Sequence, residues 1–140
     1  MSYNILIVDD SGSMRKIIKK ILLVSGFDLG EWWEAENGQA ALKILQDHWV
    51  DLVLSDLHMP VMNGLELLQA LKKEKNWSDL PVVFITTESN ENRLNELLAL
   101  GARGYIRKPF RPETIHAHLS EIMGEPNAKG MAISDEGCDF

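Results

Sequence analysis

Ile5-Leu6-Ile7-Val8-Asp9-Asp10 is a short apolar run, rich in β-branched residues, that stops on two carboxylates. It reads as a buried parallel strand, because strands covered by helices on both faces lose the alternation of half-exposed ones. The same pattern returns further along. Leu52-Val53-Leu54-Ser55 ends at Asp56, Val82-Val83-Phe84-Ile85 ends at the hydroxyl of Thr86, and Gly104-Tyr105-Ile106-Arg107 runs into Lys108-Pro109. Side by side, these ends gather three carboxylates, a hydroxyl and an ammonium into one crevice. Carboxylates alone would repel one another. They make sense around a hard divalent cation such as Mg²⁺, which takes oxygen ligands and keeps several waters. Three carboxylates and one ammonium leave about −2 of formal charge, and Mg²⁺ brings the site to about zero. Such a site can accept a phosphoryl group, whose transfer asks the protein mainly for positioning and charge stabilisation.

Between the runs the period changes to that of helices. Met14, Ile17, Ile18, Ile21 and Leu22 form one face over residues 12–25, with Arg15, Lys16, Lys19 and Lys20 on the other side. Residues 31–36 read as a second strand, and Asn37-Gly38 turns into a helix over 38–48. The third strand is 51–55, followed by a loop from His58 to Gly64 and a leucine-rich helix to about Lys75. Pro81 opens the strand 82–86. Leu94, Leu97 and Leu98 mark a fourth helix ending near Gly101, and the fifth strand is 104–107. Pro112 suits the first turn of a last helix, with Ile115, Leu119, Ile122 and Met123 facing inward. Five strand–helix units predict an α/β fold, a five-stranded parallel sheet with helices on both faces. Ligands bind such sheets beyond the carboxyl ends of the strands, where Asp9, Asp10, Asp56, Thr86 and Lys108 are all predicted to lie.

The chain has 140 residues, enough for one domain with a real core. A net charge of −7 argues against general nucleic-acid binding. No apolar stretch approaches the roughly 20 residues of a membrane span, so no membrane insertion is expected. Met1-Ser2-Tyr3-Asn4 shows no charged segment before the first strand, so no signal peptide is expected either. Cys138 is the single cysteine, which leaves no internal disulfide and makes the cytoplasm the default location. The periodic pattern stops at Gly124. Residues 1–124 are expected to form the domain and 125–140, with Pro126, Gly130 and Gly137, a loosely ordered tail.

Val8-Asp9-Asp10-Ser11, Asp56-Leu57-His58-Met59-Pro60 with Gly64 beyond, Ile85-Thr86-Thr87-Glu88 and Gly104-Tyr105-Ile106-Arg107-Lys108-Pro109-Phe110 together resemble the response-regulator receiver family, and within it the chemotaxis CheY type. The resemblance covers residues 4–123. It implies a flavodoxin-like (βα)5 fold with strand order 2-1-3-4-5. It further implies that Asp56 is the phosphoacceptor and that the donor is a histidine kinase's phosphohistidine. Mg²⁺ would be held by the Asp10 and Asp56 carboxylates and the His58 backbone carbonyl, with Asp9 reaching it through water. Lys108 would contact the phosphoryl oxygens, Thr86 would hydrogen-bond the phosphorylated site, and Tyr105 would change rotamer with it. The basic side of the first helix would meet the kinase. The face made by helix 4, strand 5 and helix 5, near Arg103, Tyr105, Arg107 and Arg111, would meet an output protein such as a motor switch or a phosphotransfer protein.

Two positions depart from the commoner pattern of the resembled family, His58 and Thr87, while Glu88 fits its fast-dephosphorylating members; all three bear on the lifetime of the phosphoryl group. Two other functions fit parts of the pattern. A phosphorelay shuttle would pass the group on to a histidine phosphotransfer domain. A small phosphohydrolase with a phospho-aspartate intermediate would need an additional general acid, and His58 stands where an aspartate would serve it. Taken singly the features have plainer readings. Asp9-Asp10 suits a helix N-terminus, Thr86 an ordinary strand end, Tyr105 core packing and Lys108 a solvated surface. The histidines do not form a metal site: His116 and His118 face different ways on one helix, and His48 reads as an amphipathic-helix residue. Trp32 and Trp33 alternate across one strand, so one is expected inside and the other over an edge or a partner.

Overall fold

Ser11, Asn37, Asn63 and Asn90 each stand just before a helix, and each side chain accepts a backbone N–H from the first turn. These caps satisfy amides that the helix itself leaves unpaired. They fix the residue at which each of these four helices starts. In the computed structural model of the protein, residues 3–123 are described. They form β1 (Tyr3–Val8), α1 (Gly12–Val24), β2 (Leu29–Ala35), α2 (Gly38–Asp47), β3 (Leu52–Ser55), α3 (Gly64–Lys73), β4 (Val82–Thr86), α4 (Glu91–Ala99), β5 (Gly104–Arg107) and α5 (Pro112–Met123). The expectations for residues 124–140, and for the side chain of Met123, lie outside the described residues.

All five strands are parallel, in the order β2-β1-β3-β4-β5. Alternate side chains feed two cores. Leu6, Val8, Val53, Val82 and Phe84 pack on the side of α2, α3 and α4, with Leu45, Leu67 and Leu94. Ile5, Ile7, Leu52, Leu54, Val83 and Ile85 pack on the side of α1 and α5, with Ile18, Ile21, Ile115 and Leu119. This double burial is why β3 and β4 read as unbroken apolar runs.

The structure corrects several details. α1 ends at Val24 and α3 at Lys73, each a little short of expectation, while β2 begins at Leu29. Leu98 does not share the buried face of Leu94 and Leu97 but is exposed. Trp32 and Trp33 do point to opposite faces, but both are half-buried, each against one of the two cores. A sheet with helices on both sides has no bare face for either ring. His48 is the residue that caps the end of α2, and its ring stacks on Trp33 at 4.7 Å. The basic side of α1 is also divided. Lys16 and Lys20 are exposed, Lys19 lies over the Trp32 ring, and Arg15 folds back toward β1 and β2.

Candidate functional site

The pairing of β1 with β3 sets Val8 beside Ser55. The chain then continues in step: the Asp56 N–H donates to the Val8 carbonyl at 2.8 Å, and the Asp9 N–H donates to the Ala35 carbonyl at 3.0 Å. Adjacent strand ends therefore present Asp9, Asp10 and Asp56 together, with one carboxylate oxygen from each within 4.8 Å of the others. The three differ in exposure: Asp9 is buried, Asp56 half-buried and Asp10 exposed.

Lys108 reaches this group from the far side of the sheet. Its N–H donates to the Thr86 carbonyl at 2.8 Å, which fixes it just beyond β5. Its Nζ then lies 3.0 Å from Asp9 and 3.5 Å from Asp56. Both ion pairs are largely shielded from solvent, so they are screened far less than surface pairs. Asp9 has both oxygens engaged, one by Lys108 and one by the Ser11 N–H at 2.8 Å. Asp56 accepts the Leu57 N–H at 2.7 Å. Asp10 remains the open carboxylate at the rim. Hard oxygen donors of this kind, two of them partly accessible, match the preference of Mg²⁺.

The chain makes room for this arrangement at Gly64. A Cβ there would collide with the Asp56 carbonyl oxygen and stand 2.6 Å from Phe84 Cε1. The start of α3 thus lies directly against the end of β3. The loop between them runs over Pro60 and Val61 and is pinned where the Gly38 N–H donates to the Met62 carbonyl at 2.9 Å.

Thr86 ends β4 fully buried, and its Oγ1 accepts the Glu88 N–H at 3.2 Å. Thr87 is exposed and Tyr105 half-buried against the α2–α4 core. His58 is exposed, and its Nε2 stands 3.2 Å from Glu88. Glu88 also accepts the Ser89 and Asn90 N–H groups, and Arg93 approaches it at 3.6 Å. The Asn90 N–H foremost, then the Arg93 charge and the His58 hydrogen bond, hold the Glu88 carboxyl below the ordinary glutamate range.

Sequence reading placed Arg15 on the basic side of α1 and missed its tie to the acidic cluster. Its Nε donates to Glu34 at 2.8 Å, and its Nη1 donates to the Asp9 carbonyl. The guanidinium thereby ties the Asp9–Asp10 corner to β2. The signal that could have found it is its position four residues after Ser11, the cap of α1, where a long side chain reaches back over the first turn.

The geometry defines a doubly wound sheet whose carboxyl ends carry an acidic cluster and a half-buried lysine, fit for a metal-assisted phosphoryl group. Residues 5–120 match the response regulator receiver domain model, and the chain belongs to that family. It is similar to the chemotaxis protein CheY homolog of Campylobacter jejuni, 37% identical over 129 residues that cover 91% of this chain and 98% of that protein. It is also similar to chemotaxis protein CheY-3 of Vibrio cholerae, 38% identical over 118 residues, 84% of this chain and 89% of that one. Among solved structures it resembles the chemotaxis response regulator CheY4 of Vibrio cholerae, with a TM-score of 0.77 and 34% identity, covering 87% of this chain and 99% of that one. The protein is therefore a receiver-domain phosphoacceptor, and a regulatory element of two-component signalling rather than a turnover enzyme. Histidine kinases and downstream effectors are the partners typical of the family. Among the described residues, no helix is long and apolar enough to cross a membrane.

Proposed function

We propose that Asp56 receives the phosphoryl group from the phosphohistidine of a histidine kinase. A carboxylate oxygen attacks phosphorus, the phosphorus–nitrogen bond breaks, and the imidazole leaves with the electron pair and takes up a proton. The observation that carries this reading is the convergence of Asp9, Asp10 and Asp56 with Lys108 at 3.5 Å from Asp56. Lys108 then neutralises the phosphoryl oxygens and orients them.

The Asp10 and Asp56 carboxylates and the His58 backbone carbonyl would hold Mg²⁺, whose positive charge offsets the carboxylates and the charge on the phosphoryl oxygens. Asp9, with both its oxygens engaged, would act through a water. Thr86 would give up its contact with Glu88 to hydrogen-bond the new phosphoryl oxygens, and Tyr105 would follow. His58, Thr87 and Glu88, around the mouth of the site, would tune the approach of the water that removes the group.

The output belongs to a chemotaxis-like pathway, in keeping with the names of the similar proteins. It would act on a partner such as a motor switch, with the cytoplasm as its compartment and residues 1–124 as the receiver unit. The test is labelling with acetyl phosphate, read by intact mass. One acid- and base-labile phosphoryl group should appear with Mg²⁺ and vanish with chelator or in Asp56→Asn. Undiminished labelling of Asp56→Asn would overturn the assignment.

A further inference from the structure

At the pole opposite the acidic cluster, where β1, β3 and β4 begin, the protein carries an open groove of about 890 Å³. Two indoles line it. Trp77 is half-buried against the core, whereas Trp49 is 76% exposed. Both rings line one groove, so aromatic surface is gathered there rather than scattered singly, as at interaction sites. Trp49 is held in place. Its Nε1–H donates to Asp51 at 2.8 Å, and its carbonyl accepts the side chain of Asn4 at 3.0 Å. Asp51 is itself fixed by the Asn4 N–H at 2.8 Å. The ring is a preorganised platform, so little ordering entropy remains to be lost on binding.

The rim is acidic. Asp47 and Asp79 both line the groove, are exposed, and have no partner among the described residues. Asp47 is moreover the last residue of α2, a helix with no basic residue in its last turn. A carboxylate there faces the negative end of the helix dipole, an unfavourable placement that a bound cation would reverse. Indole faces attract cations as well.

We infer that this groove docks a basic segment of a partner protein, with an arginine or lysine side chain laid across Trp49 between Asp47 and Asp79. The aromatic platform supplies contact area and the two free carboxylates select positive charge. The groove lies at the amino ends of the strands, so its occupant leaves the carboxyl-end cluster open to a kinase.

The test titrates the full chain with hexa-arginine and hexaglutamate peptides, read by the indole N–H resonances of Trp49 and Trp77. Salt is held at about 0.15 M, where charges beyond about 8 Å are screened. Hexa-arginine should shift both resonances and hexaglutamate neither. Trp49→Ala, and the pair Asp47→Asn with Asp79→Asn, should each weaken binding about tenfold. Glu91→Gln with Glu96→Gln removes as much charge from α4 and should leave binding unchanged. Equal weakening by the two pairs would overturn the proposal, reducing it to attraction by the net charge of −7. Shifts centred on Asp9, Asp10 and Asp56 would overturn it too. So would self-association of the peptide-free chain that Trp49→Ala abolishes, since a second copy would then be the occupant.

Discussion

Val61 adopts φ of 68°, the left-handed region that β-branched residues avoid. It sits in the loop between the proposed acceptor Asp56 and α3, and its side chain is 75% exposed, so burial contributes nothing that would hold it there. The loop is fixed instead by its ends: Gly64 donates to the Leu57 carbonyl at 2.9 Å, and Met62 accepts from Gly38. Strain of this kind costs about 1–2 kcal/mol. Asparagine tolerates the left-handed region without the unfolded-state entropy of glycine. Val61→Asn should therefore stabilise the protein by about 1 kcal/mol, seen as a higher urea midpoint at unchanged slope. Gly64→Ala should do the reverse. Its methyl group would press on the Asp56 carbonyl and Phe84, costing about 1–3 kcal/mol as overpacking does. Because the displaced segment carries Asp56, the rate of labelling by acetyl phosphate should fall as well. A Gly64→Ala protein as stable as the parent would mean that α3 can slide away from β3.

Among the elements, α3 has the most complete start. Asn63 accepts the Glu66 N–H at 2.9 Å, and Glu66 reaches back to accept the Asn63 N–H at 3.0 Å, a reciprocal pair that satisfies two orphan donors. Asn63→Ala should cost about 1 kcal/mol, and amide exchange should quicken across residues 58–63, which hang from this cap. Exchange that changed only inside α3 would show the loop to be held from its other end. How far such elements could be read in advance varied with their physics. β3 and β4 were legible because burial on both faces leaves an unbroken apolar run with a polar stop, and those stops located Asp56 and Thr86 at the sheet's carboxyl ends. The spacing within α4 was less informative. Leu98 matched the helical period, yet only Leu94 and Leu97 meet the core. Alternation showed that Trp32 and Trp33 part company but not that both faces of β2 are covered. Strand neighbours leave no trace in a period of two residues; the order 2-1-3-4-5 came from family resemblance. The tie from Arg15 to Glu34 spans 19 residues, and its only local signal is the reach of Arg15 back over the first turn of α1.

At the scale of the whole molecule, the sheet connects the acidic cluster to the surface formed by α4, β5 and α5. β4 and β5 pair with Thr86 beside Arg107 and Phe84 beside Tyr105. Paired residues in a parallel sheet point the same way, and so do residues two apart on one strand. Thr86 and Tyr105 therefore sit diagonally on one face, the face that carries Phe84 and the α2–α4 core. Thr86 now spends its hydroxyl oxygen on the Glu88 N–H and makes no hydrogen bond to Asp56. A phosphoryl group on Asp56 would offer its hydroxyl strong acceptors. Drawing Thr86 toward them would vacate space that the half-buried Tyr105 ring can enter, and the phosphoryl group would thus bias an equilibrium between two packings. A beryllofluoride complex should shift Tyr105 toward its inward rotamer, as read by side-chain NMR. Couplings of this sort amount to about 5–150-fold in affinity. Thr86→Ala should still be labelled by acetyl phosphate, while most of that gain for the output partner is lost. Tyr105 should then keep its unactivated rotamer populations under beryllofluoride. Identical rotamer populations with and without beryllofluoride in the parent chain, alongside a partner affinity that still changes, would move the output to another surface, with the loop from His58 to Gly64 the next to examine.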